Sequence, residues 1–181
     1  LGMRATASHD VILDGALVPA SHAIDLAPAG RPRYDLTVGV WNALLVAAVY
    51  DGVATAAIGW LRRYLHERVP ANLGAPLASL ERFQLAVGGI DTRLRTNDRL
   101  LRSAAVDLAE PAGLDAVEEA SLVKTTVTTN AIAAVEAAVA LVGNPGLSRS
   151  NPRERHYRDV LCSRIHTPQD GLSRFGDADI R

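Results

Sequence analysis

The chain has 181 residues, a formal net charge of −1, 48% hydrophobic side chains and 4% aromatic ones. That length suits one domain with a real core and room for a short appended piece. The balanced charge, without any Lys/Arg run, argues against a nucleic-acid binder, and the single cysteine, Cys162, excludes an internal disulfide framework and a Cys-rich zinc site.

In chain order, residues 6–18 read as a β-hairpin. Val11, Ile12 and Leu13 are β-prone, Asp14-Gly15 suits a tight turn, and Leu17-Val18 returns before Pro19. A lone hairpin needs a sheet to join, and no third strand follows. Residues 1–19 are therefore expected to be the end of a truncated β-domain. Pro28, Gly30, Pro32 and Asp35 make residues 20–36 a linker.

From there the pattern is helical, and residues 37–170 are expected to form an antiparallel four-helix bundle. A first helix should run from about Asp35 to Glu67, with an inner face of Trp41, Leu45, Val49, Gly52, Ala56 and Gly59. The second, about 78–109, has the clearest period. Leu80, Phe83, Val87, Ile90, Leu94, Asn97, Leu101, Ala104 and Leu108 recur at steps of three and four. The third should start at Asp115, with Glu118 as a capping-box partner, and stop at Gly143. The fourth, ending near Arg164, opens with Asn151 as cap, Pro152 in its first turn and Glu154 close behind. Residues 171–181 read as a tail. The predicted class is thus all-α, a four-helix bundle preceded by a short β-hairpin.

The apolar stretch from Val38 to Leu61 must be weighed as a membrane span. Asp51 at its centre would cost roughly 2.5–3.5 kcal/mol on insertion scales, and Ala and Gly outnumber Leu and Ile around it. A buried bundle helix is the expectation, with no membrane association. The opening residues do not read as a signal peptide, so a cytoplasmic location is expected.

Taken singly, few residues suggest chemistry. None of His9, His22, His66, His156 and His166 pairs with a carboxylate or another His at metal-ligand spacing on one helix, so no metal site is expected. No Gly-rich phosphate loop follows a strand, and no Ser sits in a nucleophile elbow.

Longer stretches say more. Gly2 to Thr6 with Asp10 to Asp14 and Val18-Pro19 resembles the stretch closing the β-domain in acyl-CoA dehydrogenases. Asn151 to Asp159 resembles the last-helix signature of the same family, including its Arg-Asp pair. Glu67 to Leu77 resembles the turn after the first bundle helix, and Lys124 and the Gly143–Gly146 turn fall in matching places. The match is collinear along nearly the whole chain. It implies the C-terminal part of a flavin-dependent oxidoreductase, with FAD or FMN held noncovalently. It also implies a homo-oligomer, most simply a tetramer joined through the bundle, and a flavin reductase or electron-transfer partner.

By the same resemblance Arg68, with Asn72 in the turn beyond it, would reach the diphosphate of a neighbouring subunit's flavin, since a planar guanidinium can hold two phosphate oxygens. Gly143 and Gly146 would bring backbone amides near the cofactor. The plainer readings are a helix-end charge for Arg68, a helix stop for Gly143 and a structural ion pair for Arg158 and Asp159.

The departures are as informative. Thr167 stands where the family's catalytic Glu would be, and Asn42 where some members carry the base on the first bundle helix. Neither can take an α-proton from a thioester. The stretch Arg164 to Pro168 instead resembles the branch that uses reduced flavin and oxygen, such as the dibenzothiophene and sulfone monooxygenases. That makes His166 the catalytic candidate, as an imidazole able to hold or relay a proton; its plainer reading is a helix-end cap. A monooxygenase is accordingly expected. The alternatives are a true acyl-CoA dehydrogenase whose base lies in another part of the protein, and a bundle that serves only in assembly.

Overall fold

The computed structural model describes residues 2–6, 9–22, 36–108, 112–148 and 151–166. Four helices carry the fold: α1 (Leu36–Glu67), α2 (Glu81–Asp107), α3 (Leu114–Val142) and α4 (Pro152–Leu161). Short 3-10 turns at Leu77–Ser79, Asn144–Leu147 and Cys162–Arg164 connect or extend them.

The packing sets the directions. Val40 to Ala47, at the start of α1, share a core with Ala120 to Val127 at the start of α3, and Leu100 to Leu108 at the end of α2 close over it. Ile58 to Leu65 share a second core with Ala134 and Ala138, and with Phe83 and Ile90 from the start of α2. Thus α1 and α3 run parallel and α2 antiparallel to both. A third core joins Ala54, Ala57, Ala131, Ile132 and Val135 to Val160 of α4. The result is the up-down-up-down bundle that the short connections predict.

Alanine explains why α1 and α3 lie so close. Ala47, Ala54, Ala57, Ala131, Ala134 and Ala138 are all fully enclosed, and side chains without bulk let two backbones approach. Both helices are long and apolar enough to cross a membrane. In the bundle their inner apolar sides pack on each other.

One polar layer crosses this core. The Asn97 amide donates to Asp51 Oδ1 at 2.6 Å and to the Val127 carbonyl at 3.1 Å, and its oxygen accepts from Asn130 at 2.9 Å. Three helices meet in one side chain that is wholly buried. At the start of the bundle, Thr37 accepts the Ala112 N–H at 3.0 Å and ties α1 to the segment entering α3.

The hairpin is not formed: there is no strand among the described residues. Residues 9–18 make an open bend at Asp14-Gly15, with Gly15 at φ +61°. Val11, Ile12, Leu13 and Leu17 are between 77% and 99% exposed. Runs of three and two residues supply too few ladder bonds to hold a hairpin without a sheet beneath it. Most of the expected 20–36 linker and the whole 171–181 tail lie outside the described residues.

Other local expectations also shift. The inner face of α1 is built from Ala43, Leu44, Ala47, Tyr50, Ala54, Ala57, Ile58 and Leu61, whereas Leu45, Val49, Gly52 and Ala56 face outward. A helix apolar on nearly all sides does not reveal its buried stripe by period. Helix α3 starts at Leu114 behind Gly113, without a side-chain cap. Asn151 does occupy the cap position of α4, but its amide donates to the Pro145 carbonyl at 2.9 Å and holds the preceding turn instead.

Candidate functional site

The sequence-selected residues fall at two places on the bundle. Arg68 and Asn72 follow the last turn of α1, and Gly143 and Gly146 flank the turn that ends α3. These two helix ends lie together, because Tyr64, Leu65, Leu141 and Val142 share one core. His166 lies elsewhere, against Tyr50 midway along α1. Eighteen residues separate Tyr50 from Arg68, or ~27 Å of helix at ~1.5 Å per residue. Within one chain the two groups do not meet.

At the first place, Arg68 is exposed and its backbone is fixed. Its N–H donates to the Tyr64 carbonyl at 2.9 Å and its carbonyl accepts from Leu77 at 3.0 Å. No ion pair engages its guanidinium among the described residues. That donor set fits a phosphate or diphosphate. Gly143 and Gly146 offer less. The Gly143 amide donates to the Val139 carbonyl at 3.1 Å and the Gly146 amide to the Gly143 carbonyl at 2.8 Å. Both donors are spent inside the turn, so what these glycines supply is shape. Gly143 takes φ +70°, and a Cβ on Gly146 would press within 3.3 Å of the Val139 carbonyl.

Close by, Arg153 on α4 is fully buried, with its guanidinium carbon 5.0 Å from the centroid of the Trp60 ring. None of its three side-chain nitrogens has a hydrogen-bond partner among the described residues, and burial pushes its pKa down to about 10. Nothing in the pattern of α4 marked this arginine as an inward one.

At the second place, the end of α4 gathers several groups around Tyr50, which is 1% exposed. Its hydroxyl lies 3.0 Å from His166 Nδ1, and the two rings meet edge-on at 5.8 Å. Burial, reinforced by Cys162 and Asp159, pushes the Tyr50 pKa up to about 12. His166 itself is exposed and is held by its own N–H, which donates to the Cys162 carbonyl at 3.1 Å. Asn42 is exposed on the first turns of α1, and Thr167 lies outside the described residues.

The Arg-Asp pair of α4 makes two further contacts. Arg158 Nε donates to Glu154 at 2.7 Å, while Asp159 accepts the Met3 N–H at 2.6 Å. Asp159 thereby clamps the N-terminal arm to α4. Between that arm, α4 and the outward side of α1 lies a cleft of about 710 Å³. Its floor is apolar (Val49, Gly52, Val53, Ala56), and Arg4 and Arg155 stand on its walls. Arg158 and Asp159 line it, whereas His166, Arg68, Asn72, Gly143 and Gly146 do not. Among the described residues no cluster of His, Cys, Asp and Glu could hold a metal ion.

Comparison with known proteins agrees with this architecture. Residues 44–170 match the family described as acyl-CoA dehydrogenase, C-terminal domain. The YdbM protein of Bacillus subtilis (strain 168), itself assigned to the acyl-CoA dehydrogenases, is 30% identical over 171 residues, covering 94% of this chain and 44% of the relative. The short-chain specific mitochondrial acyl-CoA dehydrogenase of Bos taurus is 24% identical over 97% of this chain and 41% of its own length. Butyryl-CoA dehydrogenase from Megasphaera elsdenii shares the fold, with a TM-score of 0.69 over 77% of this chain and 35% of that one at 22% identity. The chain spans less than half the length of the curated relatives it matches.

Proposed function

The chain belongs to the family of acyl-CoA dehydrogenase C-terminal domains, and on that premise we propose that it is the helical C-terminal part of a flavin-dependent oxidoreductase acting on an acyl thioester. Homologues in the family are FAD-binding flavoproteins. This replaces the monooxygenase expected from the stretch around His166, because the curated relatives are mostly acyl-CoA dehydrogenases. The observation on this chain that carries the reading is Arg68: an exposed arginine without an ion pair among the described residues, on a rigid helix end beside a tight glycine turn.

Bound flavin would supply the acceptor for the two electrons removed from the substrate. In this reading Arg68 holds the cofactor's diphosphate, Asn72 stands in the same turn, and Gly143 and Gly146 shape the surface beside it. Neither matching position supplies the base for the α-proton, since Asn42 is an amide and Thr167 an alcohol. In this reading a carboxylate elsewhere in the full-length enzyme takes that proton. Family homologues are oligomeric, and the exposed Leu45 and Val49 on the outward side of α1 suit an assembly, which we propose to be a tetramer.

A second reading, an oxygen-using flavoenzyme, is favoured by one observation: the hydrogen-bonded Tyr50–His166 pair just before the position where the family's Glu would stand. One experiment separates the two. The full-length holoenzyme is offered a panel of acyl-CoA thioesters with an artificial electron acceptor and no oxygen. Acceptor reduction is expected, and Arg68→Ala should weaken flavin binding by roughly 10- to 100-fold, the weight of a charge-assisted hydrogen bond. Turnover seen only with reduced flavin and oxygen would establish the second reading instead.

A further inference from the structure

The Tyr50–His166 contact determines more than proximity. Tyr50 stands in the core of α1, where Ala47 and Ala54, one turn to either side, are fully enclosed, so its ring has little freedom. Among the described residues its hydroxyl makes one hydrogen bond, to His166 Nδ1, 116 residues away in sequence. Two arrangements satisfy a 3.0 Å separation: the phenol donates to a bare Nδ1, or a protonated Nδ1 donates to the phenol oxygen. The second leaves the phenol hydrogen buried without an acceptor, which costs free energy; the first leaves nothing unpaired. A phenol whose pKa is pushed up to about 12 keeps its proton at any ordinary pH and remains a donor.

We infer that Tyr50 is a positioning residue that fixes neutral His166 as the Nε2–H tautomer, so that the ring presents one outward hydrogen-bond donor to a carbonyl or anionic oxygen of bound substrate or cofactor. A bare Nε2 would suit a metal or accept a proton. A protonated Nε2 does neither, so the arrangement selects an oxygen acceptor. The turn of backbone from Cys162 to His166 aims the ring, and Tyr50 decides which nitrogen carries the proton. The tautomer follows from this chain alone; its use in chemistry rests on reading the chain as part of a flavoenzyme with His166 at the reacting end.

Long-range 1H–15N correlation on the 181-residue chain labelled at histidine nitrogens tests it, in alkaline solution where the imidazoles are neutral. The His166 signals are identified by their loss in His166→Gln. The expected result is a bare Nδ1 and a protonated Nε2 in the parent. In Tyr50→Phe, which keeps the ring and removes only the hydroxyl, the Nδ1 shift should move toward that of a tautomer mixture. A protonated Nδ1 in the parent overturns the inference even if the variant fails to fold, and so does an unmoved Nδ1 shift in a folded Tyr50→Phe. In the full-length holoenzyme, a fully active His166→Ala would sink the role in chemistry while leaving the tautomer assignment standing, so the two failures are distinguishable.

Discussion

Ala56 and Ala57 are neighbours on α1, alike in chemistry and opposite in circumstance. Ala57 is fully enclosed against α3, while Ala56 is exposed on the floor of a cleft beside Val49 and Gly52. The two sides of this helix are about equally apolar, so what separates them is the presence of a partner. On the inner side α3 answers with Ala131, Ala134 and Val135. On the outer side Leu45 and Val49 are 59% and 54% exposed among the described residues. Burial is thus a property of the pair of surfaces, and the open strip on the outer side is the one the proposed assembly would use.

A matched pair of substitutions puts that contrast under the heaviest load. Ala57→Asp places an unpaired carboxylate in the dry contact between α1 and α3 and should cost about 3–5 kcal/mol, enough to threaten folding. Ala56→Asp should stay within about 0.5 kcal/mol of the parent. It should also weaken self-association, because it sets a charge in the open apolar strip. Urea unfolding and light scattering read the two effects. Equal destabilisation by both variants would refute the assignment of inner and outer sides, and unchanged association in Ala56→Asp would remove that strip from the assembly interface.

The polar layer gives the next largest effect. Asn97→Leu strips Asp51 and Asn130 of their shared partner inside the bundle, and a loss of about 1–3 kcal/mol is expected. The pH dependence has a definite sign. Burial raises the Asp51 pKa above its ordinary 3.8, overcoming the opposing hydrogen bond from Asn97. The folded state then holds that proton more tightly than the unfolded one, so this group's contribution to stability falls as pH rises from about 3.8 through the raised value. Asp51→Asn, whose carbonyl can still accept from Asn97, should flatten that limb of the stability–pH curve relative to the parent. Parallel curves for the two proteins would show that Asp51 titrates as a solvated carboxylate.

How much of this was legible in the residues follows the same division. The period of α2 placed Phe83, Ile90 and Asn97 inward correctly, because that helix is polar on its other faces and its stripe stands out. Asn97 was visible as a polar member of an apolar row, which is the signature of a buried junction. In α1 the same reasoning chose the outward stripe, since apolar residues surround the whole helix. The strand-like Val11 to Leu13 also misled: β propensity describes a fit to a neighbouring sheet, and the described residues contain none. For the site, local resemblance located Arg68 and His166, but their roles remain proposals. Tyr50, the inward Arg153 and the Asp159–Met3 clamp come from helix packing and contacts distant in sequence, which no periodicity encodes.

The smallest effect expected comes from the N-terminal arm, where one glycine is clamped and another is free. Gly2 lies so close to α4 that a Cβ would overlap the Arg158 carbonyl and sit 2.6 Å from Cys162 Sγ. The obstacle is partly backbone, which cannot swing aside as a side chain would. Gly2→Ala should therefore lift the arm and break the bond from the Met3 N–H to Asp159. The loss should be about 0.5–1.5 kcal/mol, the net worth of one hydrogen bond, with the four helices intact by circular dichroism. Gly15 is the control. It takes φ +61°, a conformation that an L side chain ordinarily resists, yet nothing lies within 4 Å of its would-be Cβ. Because residues 9–18 form no ladder, the bend can relax to a negative φ, and Gly15→Ala should leave stability unchanged. Amide exchange at Met3 separates the cases: protection should be lost in Gly2→Ala and kept in Gly15→Ala. Retained protection in Gly2→Ala would mean that the arm docks by some contact other than the Asp159 clamp.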